Sequence, residues 1–154
     1  MSQDFGSAEV AAAHRFHMRG TAVMVFVIYL LTIVTYQEFF LFDPASGESL
    51  ARDISLWICL VGWISATFLS PLSILGIAHG DKTSLRIMPY LVLLWPISII
   101  IAQITVFAET GVAYIDYLFN FPVFVITDIA LPIFLMVKWN NVRRSVLKAG
   151  YELY

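Results

Sequence analysis

The sequence predicts an all-α integral membrane protein, a bundle of four transmembrane helices with both termini in the cytoplasm. Of its 154 residues, 60% are hydrophobic and only 13% are charged, a balance typical of chains embedded in lipid. The apolar residues form four stretches that each reach about 20 residues, the length at which a helix crosses a bilayer. These stretches are 20–41, 54–78, 88–108 and 112–137.

The distribution of lysine and arginine predicts the orientation. Of the nine basic residues, only Arg52 lies in the first or third loop between apolar stretches. The other eight lie at the two ends and in the central loop, and cytoplasmic segments carry such an excess. They are Arg15, Arg19, Lys82, Arg86, Lys138, Arg143, Arg144 and Lys148. We therefore expect a multi-pass protein of a cytoplasmic membrane, the inner membrane of a bacterium.

The segments outside the apolar stretches belong to the same single domain, residues 1–154. Residues 1–19 are predicted to form a short interfacial helix on the cytoplasmic side, and residues 140–154 a basic amphipathic tail along the inner surface. The segment 43–49 has the composition of a turn and forms the first outer loop. The second outer turn, at 109–111, is very short, so the third and fourth helices should be antiparallel neighbours.

The second apolar stretch carries small residues at spacings of three and four, which place them on one helical face. Small residues let membrane helices approach closely, so this helix is expected at the centre of the bundle. The six residues are Ser55, Cys59, Gly62, Ala66, Ser70 and Ser73. Trp57, Ile64 and Phe68 fall on other faces, toward lipid or a partner.

Prolines interrupt three of the four stretches, at Pro71, Pro96, Pro122 and Pro132. Each removes a backbone donor and frees a carbonyl, which neighbouring groups must satisfy in a membrane. Pro71 and Pro132 each lie about eight residues before the inner end of their helix. These matching positions suggest a tandem duplication of a helical hairpin.

Asp128, between Pro122 and Pro132, is the strongest candidate for chemistry. An aspartate near the middle of a membrane is disfavoured by about 2.5–3.5 kcal/mol on insertion scales. Three interpretations are open. The carboxyl group binds a proton or an ion on a transport pathway, it holds neighbouring helices by hydrogen bonds, or it pairs with a basic residue of a partner subunit.

A second polar group is predicted near the outer face, where it would form either a vestibule for a cation or an interfacial set facing headgroups and water. Its members are Glu38, Gln103, Asp116 and Asn120. Asp116 and Asn120 are four residues apart and share a helical face.

Histidines raise the question of a metal or cofactor. His14, His17 and His79 all fall on the predicted inner surface, where three imidazoles could gather around a metal. No cysteine or acidic residue is fixed beside them in the sequence, and no histidine lies inside a span to ligate haem. The single cysteine, Cys59, excludes an internal disulfide. No cofactor and no metal are predicted.

These observations favour a non-catalytic function. Nucleophile elbows, glycine-rich phosphate loops and paired catalytic cysteines are missing, and no basic groove interleaved with aromatic residues indicates nucleic acid. We expect a small integral subunit or accessory protein of a larger respiratory, transport or envelope assembly, in contact with lipid and with protein partners or other copies of itself. The alternative is a small proton- or cation-coupled transporter or channel that acts as a homo-oligomer around Asp128. A lipid-modifying enzyme that uses the three histidines is a third hypothesis.

Overall fold

The computed structural model describes residues 8–40, 50–110 and 125–148, and all regular structure in these ranges is helical. The α-helices are α1 (Ala8–Phe40), α2 (Leu50–Ile64), α3 (Ser70–Ala78), α4 (Lys82–Thr110) and α5 (Leu131–Lys148). Two π-helical segments complete the set. The first π segment (Ser65–Leu69) joins α2 to α3 without a break, and the second π segment (Val125–Ala130) leads into α5.

Three helical stretches in the described part of the chain are long and apolar enough to cross a membrane: Asp53–Ala78, Lys82–Thr105 and Val125–Lys148. The prediction of an all-helical fold is confirmed for the described residues. The remaining apolar stretch, 20–41, falls largely within α1.

The helices extend beyond the apolar stretches at the end that carries the basic residues. Helix α1 already begins at Ala8, so residues 8–19 continue directly into the first long helix. Helix α5 continues to Lys148, and its Val142 and Val146 are buried in the protein core. Hydropathy marks the residues beside lipid, whereas backbone hydrogen bonding continues through polar residues until a cap or breaker ends it. The apolar side of this tail thus packs against the bundle.

A three-residue turn joins α3 to α4. Gly80 has a positive φ of 88°, the left-handed conformation that glycine adopts at helix ends. The Gly80 amide donates to the Ile77 carbonyl at 3.0 Å, and the Asp81 amide donates to the Gly76 carbonyl at 2.9 Å. These are the two bonds of a Schellman motif, so the turn both ends α3 and reverses the chain.

Asp81 then caps α4. Its carboxylate accepts hydrogen bonds from the amides of Thr83 at 3.1 Å and Ser84 at 2.9 Å, and from the Ser84 hydroxyl. The Ser84 hydroxyl is the largest cause that lowers the pKa of Asp81, partial burial opposes it, and the two amides lower the pKa further. The acid is therefore held in its charged form at the start of the helix, where negative charge is favourable.

Side chains from neighbouring helices complete the backbone hydrogen bonding of α4. Pro89 and Pro96 both lie inside this helix. Because Pro89 has no N–H, the carbonyl of Leu85 loses its donor four residues later. Trp139 of α5 supplies the replacement, with its indole Nε1 donating to the Leu85 oxygen at 2.7 Å. A sequence-imposed defect in one helix thereby fixes the position of another.

The continuous helix formed by α2, the first π segment and α3 packs against both α1 and α4. It lies close to α4 at Gly62, where an added Cβ would lie only 2.7 Å from Cβ of Ser98. Away from these contacts, large apolar side chains face outward: Trp57 is 68% exposed and Tyr90 is 73% exposed. Such a surface needs an apolar surrounding or a partner.

Replacement of Gly62 tests this close approach. Gly62→Ala should lower the free energy of unfolding by about 1–3 kcal/mol, because the new methyl group forces α2 away from α4. Gly20→Ala is the matched control, since nothing lies within 4 Å of the Cβ position there and alanine favours a helix by about 0.5–1 kcal/mol. Thermal unfolding in detergent measures both, and equal effects would contradict the described packing.

The Asp81 cap predicts an acid-sensitive contribution to stability. The folded pKa lies below the ordinary aspartate value of about 3.9, so this contribution is present above that value and is lost as the pH falls through the folded pKa. Asp81→Asn keeps a capping oxygen without a titrating group. As the pH falls from about 6 through the folded pKa of Asp81, the stability advantage of the wild type over Asp81→Asn should shrink. An advantage unchanged with pH, followed by helical circular dichroism during unfolding, would contradict the capping role.

Candidate buried carboxylate site

Asp128 lies in the second π segment and is only 9% exposed. Its Oδ1 accepts hydrogen bonds from the indole Nε1 of Trp95 at 2.7 Å and from the Thr127 hydroxyl at 3.0 Å. Trp95 belongs to the middle of α4 and is buried. The strongest sequence candidate is therefore tied to the neighbouring helix by a short side-chain hydrogen bond.

Tyr29 of α1 brings a third helix to this site. Its ring packs edge-on against Trp95, with centroids 6.2 Å apart and planes at 71°. Its hydroxyl donates to the Thr127 carbonyl at 3.4 Å. The backbone carbonyl of Tyr29 accepts a 2.7 Å hydrogen bond from Nε1 of Trp63 on α2. All four long helices are thus linked through one connected set of contacts.

The geometry of the π segment explains the Tyr29 hydrogen bond. In a π turn a carbonyl pairs with the N–H five residues later, and for Thr127 that residue is Pro132. Proline has no N–H to give. The Tyr29 hydroxyl of α1 donates to the Thr127 carbonyl instead. It therefore replaces the hydrogen bond that Pro132 cannot form.

Both π segments stand in the same relation to a proline. Each ends two residues before one, at Pro71 and at Pro132, and the residue four before each proline is polar and buried: Thr67 and Asp128. The Ser65 carbonyl accepts both the amide and the hydroxyl of Ser70. Among the described residues, the hydroxyl of Thr67 is the one buried side-chain oxygen without a hydrogen-bond partner.

The stripe of small residues on the second helix is buried along its whole length: Ser55, Cys59, Gly62, Ala66, Ser70 and Ser73. Two of its hydroxyls cross to α4. Ser55 donates to the Ala102 carbonyl at 3.4 Å, and Ser73 donates to the Ser84 carbonyl at 2.9 Å.

The polar set predicted near the outer face is only partly described. Gln103 is half-buried in α4. Asp116 and Asn120 lie outside the described residues, as does the side chain of Glu38. The choice between a vestibule and an interfacial set therefore stays a prediction.

The histidines are placed at the basic end of the bundle. His17 and His79 are exposed, and His17 packs edge-on against Phe16. The side chain of His14 lies outside the described part. No group of three histidine, cysteine or acidic side chains suited to a metal occurs within residues 15–32, 53–105 and 125–148.

Sequence reasoning missed the aromatic donors Trp95, Tyr29, Trp63 and Trp139. A signal for one of them was available: Pro89 identifies the Leu85 carbonyl as needing a donor. The sequence does not say which helix supplies that donor, because this depends on the rotation and height of the helices in the bundle.

Chemically, the arrangement suits a packing role for Asp128. One carboxylate oxygen is engaged by two protein donors, and the surrounding groups come from four helices. Comparison with protein-family models, with curated proteins and with solved structures returned no match. The function is therefore argued from this geometry.

Removal of the Trp95 donor tests the packing role. Trp95→Phe should lower the free energy of unfolding by about 1–3 kcal/mol, the penalty for leaving a buried polar partner unsatisfied, with an added loss from the smaller ring. Trp57→Phe is the control, because Trp57 is exposed and such changes fall within about 0.5 kcal/mol. Unfolding of both variants in the same detergent measures the difference, and an equal loss would mean that the Trp95–Asp128 bond does not stabilise the fold.

Proposed function

We propose that this chain is a non-catalytic integral subunit or accessory protein of a larger membrane assembly in a cytoplasmic membrane. In this proposal it crosses the bilayer four times, with both termini inside. Three described stretches have the required length and hydropathy. The fourth crossing uses the stretch 20–41, which falls largely within α1, and Val23, Val27 and Leu31 of that helix face outward.

The contacts across the bundle support the proposed orientation. Lys138 of α5 donates to the His17 carbonyl at 3.3 Å and to the Thr21 hydroxyl of α1, and Trp139 bonds to Leu85 at the start of α4. The eight basic residues that predicted the orientation therefore belong to one end of the bundle. Sorting of basic residues to one side is the pattern of a cytoplasmic face.

The observation that carries the functional proposal is the engagement of Asp128 by Trp95 and Thr127. A buried acid that completes the packing of four helices needs no substrate to explain it. The outward apolar residues, including Trp57 and Tyr90, then supply surface for lipid and for the transmembrane helices of a partner.

A transporter or channel formed by several copies of this chain is the second candidate. The π segment around Asp128 favours it, because π turns within helices are frequent at functional sites. In this alternative Asp128 is the coupling carboxylate, and the copies enclose the pathway together.

Asp128→Asn separates the two functions. Asparagine keeps an acceptor oxygen for Trp95 and Thr127 but cannot titrate or carry charge. For a subunit, the variant should co-purify in mild detergent with the same partner proteins, identified by mass spectrometry, as the wild type. Asp128→Leu, which removes the acceptors, should reduce that recovery and the melting temperature.

The opposite result would favour the transporter. It consists of proton- or cation-dependent flux through vesicles that contain only the purified chain, together with loss of that flux in Asp128→Asn while the fold stays intact. Such flux, with no protein recovered alongside the wild type, would overturn the subunit proposal.

A further inference from the structure

Helix α1 has one face that packs into the bundle and an opposite face that points outward. The buried positions follow one another at spacings of four and three: Met18, Ala22, Val25, Tyr29 and Thr32. The exposed positions have the same spacings and form what we call the outward seam: Phe16, Gly20, Val23, Val27 and Leu30. Such spacing keeps each set on one side of a helix and is the pattern by which two helices pack along their length. Helix α1 can therefore have a helical neighbour on each side.

Glycines in this bundle mark places where helices come close. The part of the chain that the structure describes has three glycines inside helices. An added Cβ at Gly62 would lie 2.7 Å from Cβ of Ser98, and one at Gly76 would lie 2.8 Å from Cβ of Ser84. Both contacts are with α4.

Gly20 differs from these two glycines because it is exposed and nothing lies within 4 Å of its Cβ position. Glycine inside a helix is destabilising relative to alanine, and the contacts of the described bundle do not require it here. Small residues in membrane helices permit another helix to approach closely. Gly20 thus forms a notch in the outward seam that suits a helix from outside the chain.

The residue types along the outward seam favour a parallel helix pair. In heptad terms Gly20 and Val27 take a positions, and Val23 and Leu30 take d positions. A β-branched residue at a with leucine at d favours two parallel strands. The outward faces of α4 and α5 in the same half of the bundle carry bulkier side chains, among them Ile87, Tyr90, Ile133 and Phe134.

A second copy of the chain meets the geometric requirement without any further assumption. Copies inserted in the same orientation are related by an axis along the membrane normal, so their α1 helices run parallel. In such a symmetric contact the same surface of both chains is used, and each a or d residue meets its own counterpart. Gly20 then lies opposite Gly20 of the other copy, where neither side chain keeps the two backbones apart.

We propose that a second copy of this chain packs on the outward seam of α1, which forms a parallel pair of α1 helices around Gly20, Val23 and Val27. The inference rests on the proposed membrane placement and adds a homodimer contact to it.

Energy transfer between labelled copies measures the association. The full chain carries a donor or an acceptor dye at its N-terminus, and the two preparations are mixed in phosphatidylcholine vesicles over a wide range of protein-to-lipid ratios. Gly20→Ile places a branched side chain in the notch. It should raise the protein-to-lipid ratio needed for half-maximal transfer about tenfold, equivalent to about 1.4 kcal/mol, an effect of the size expected for an overpacked contact.

Val137→Phe is the matched control, because it adds bulk at an exposed position of α5. It should leave the association unchanged. Gly20→Ile should keep the helical circular dichroism and the melting temperature of the monomer, since nothing in the chain lies within 4 Å of the added Cβ. Loss of transfer in this variant would then report the contact between copies and not the fold.

Cysteine cross-linking tests the face directly. The single native cysteine is first removed with Cys59→Ala. Val23→Cys or Val27→Cys then places two cysteines of the dimer opposite each other, within the Cα separation of about 4.4–6.8 Å that a disulfide needs. Oxidation in vesicles should give covalent dimers of both variants. Ile133→Cys, exposed on α5, should remain monomeric.

Three results would overturn the second copy as the occupant of the outward seam. The first is no energy transfer at any protein-to-lipid ratio. The second is an equal effect of Gly20→Ile and Val137→Phe, or cross-linking of Ile133→Cys as fast as that of Val23→Cys. The third is release of a different co-purifying protein by Gly20→Ile without energy transfer between copies.

Flotation of the vesicles separates this inference from the proposed function. A chain that fails to float with the vesicles overturns the membrane placement and the dimer together. A chain that floats as a monomer, and still co-purifies with partner proteins, overturns the dimer alone.

Discussion

Backbone carbonyls without a helical donor are the constraint on which this bundle depends. Prolines and π turns inside long helices leave such carbonyls, and an apolar surrounding offers them no water. Side chains from adjacent helices supply the missing donors: Trp139 donates to the Leu85 carbonyl, and Tyr29 donates to the Thr127 carbonyl. A hydrogen bond requires a defined distance and direction. Each of these bonds therefore fixes the rotation and the axial position of one helix against another, whereas apolar packing alone constrains them only loosely.

The buried carboxylate belongs to the same system. Trp95 donates to Asp128 while its ring packs against Tyr29, so the donor that satisfies the acid and the donor that satisfies the Thr127 carbonyl are neighbours. The acid and the carbonyl freed by Pro132 thus take their hydrogen bonds from the same pair of aromatic side chains in the core. This is why we propose a role in assembly for Asp128 ahead of a role in transport.

The sequence predicted the parts of the fold that depend on hydropathy and on local spacing. The all-helical class and three long apolar helices follow from composition and from the lengths of the stretches. Helix ends were harder to predict, because α4 begins at Lys82 and α5 ends at Lys148, and hydropathy does not identify terminal turns that carry charged residues. The pairing of Trp95 with Asp128, 33 positions apart in the chain, could not be predicted from the sequence. It depends on how the two helices that carry these residues are rotated against each other.

A single missing N–H in α4 determines how two side chains of α5 are placed. Pro89 frees the carbonyl of Leu85, Trp139 turns its indole nitrogen to that carbonyl, and the fixed ring then supports Arg143 one turn later. In a helix without the proline, the backbone N–H of residue 89 would bond to the Leu85 carbonyl. The Trp139 indole would then lack this acceptor. The positions of two side chains on α5 thereby depend on a backbone defect in a different helix.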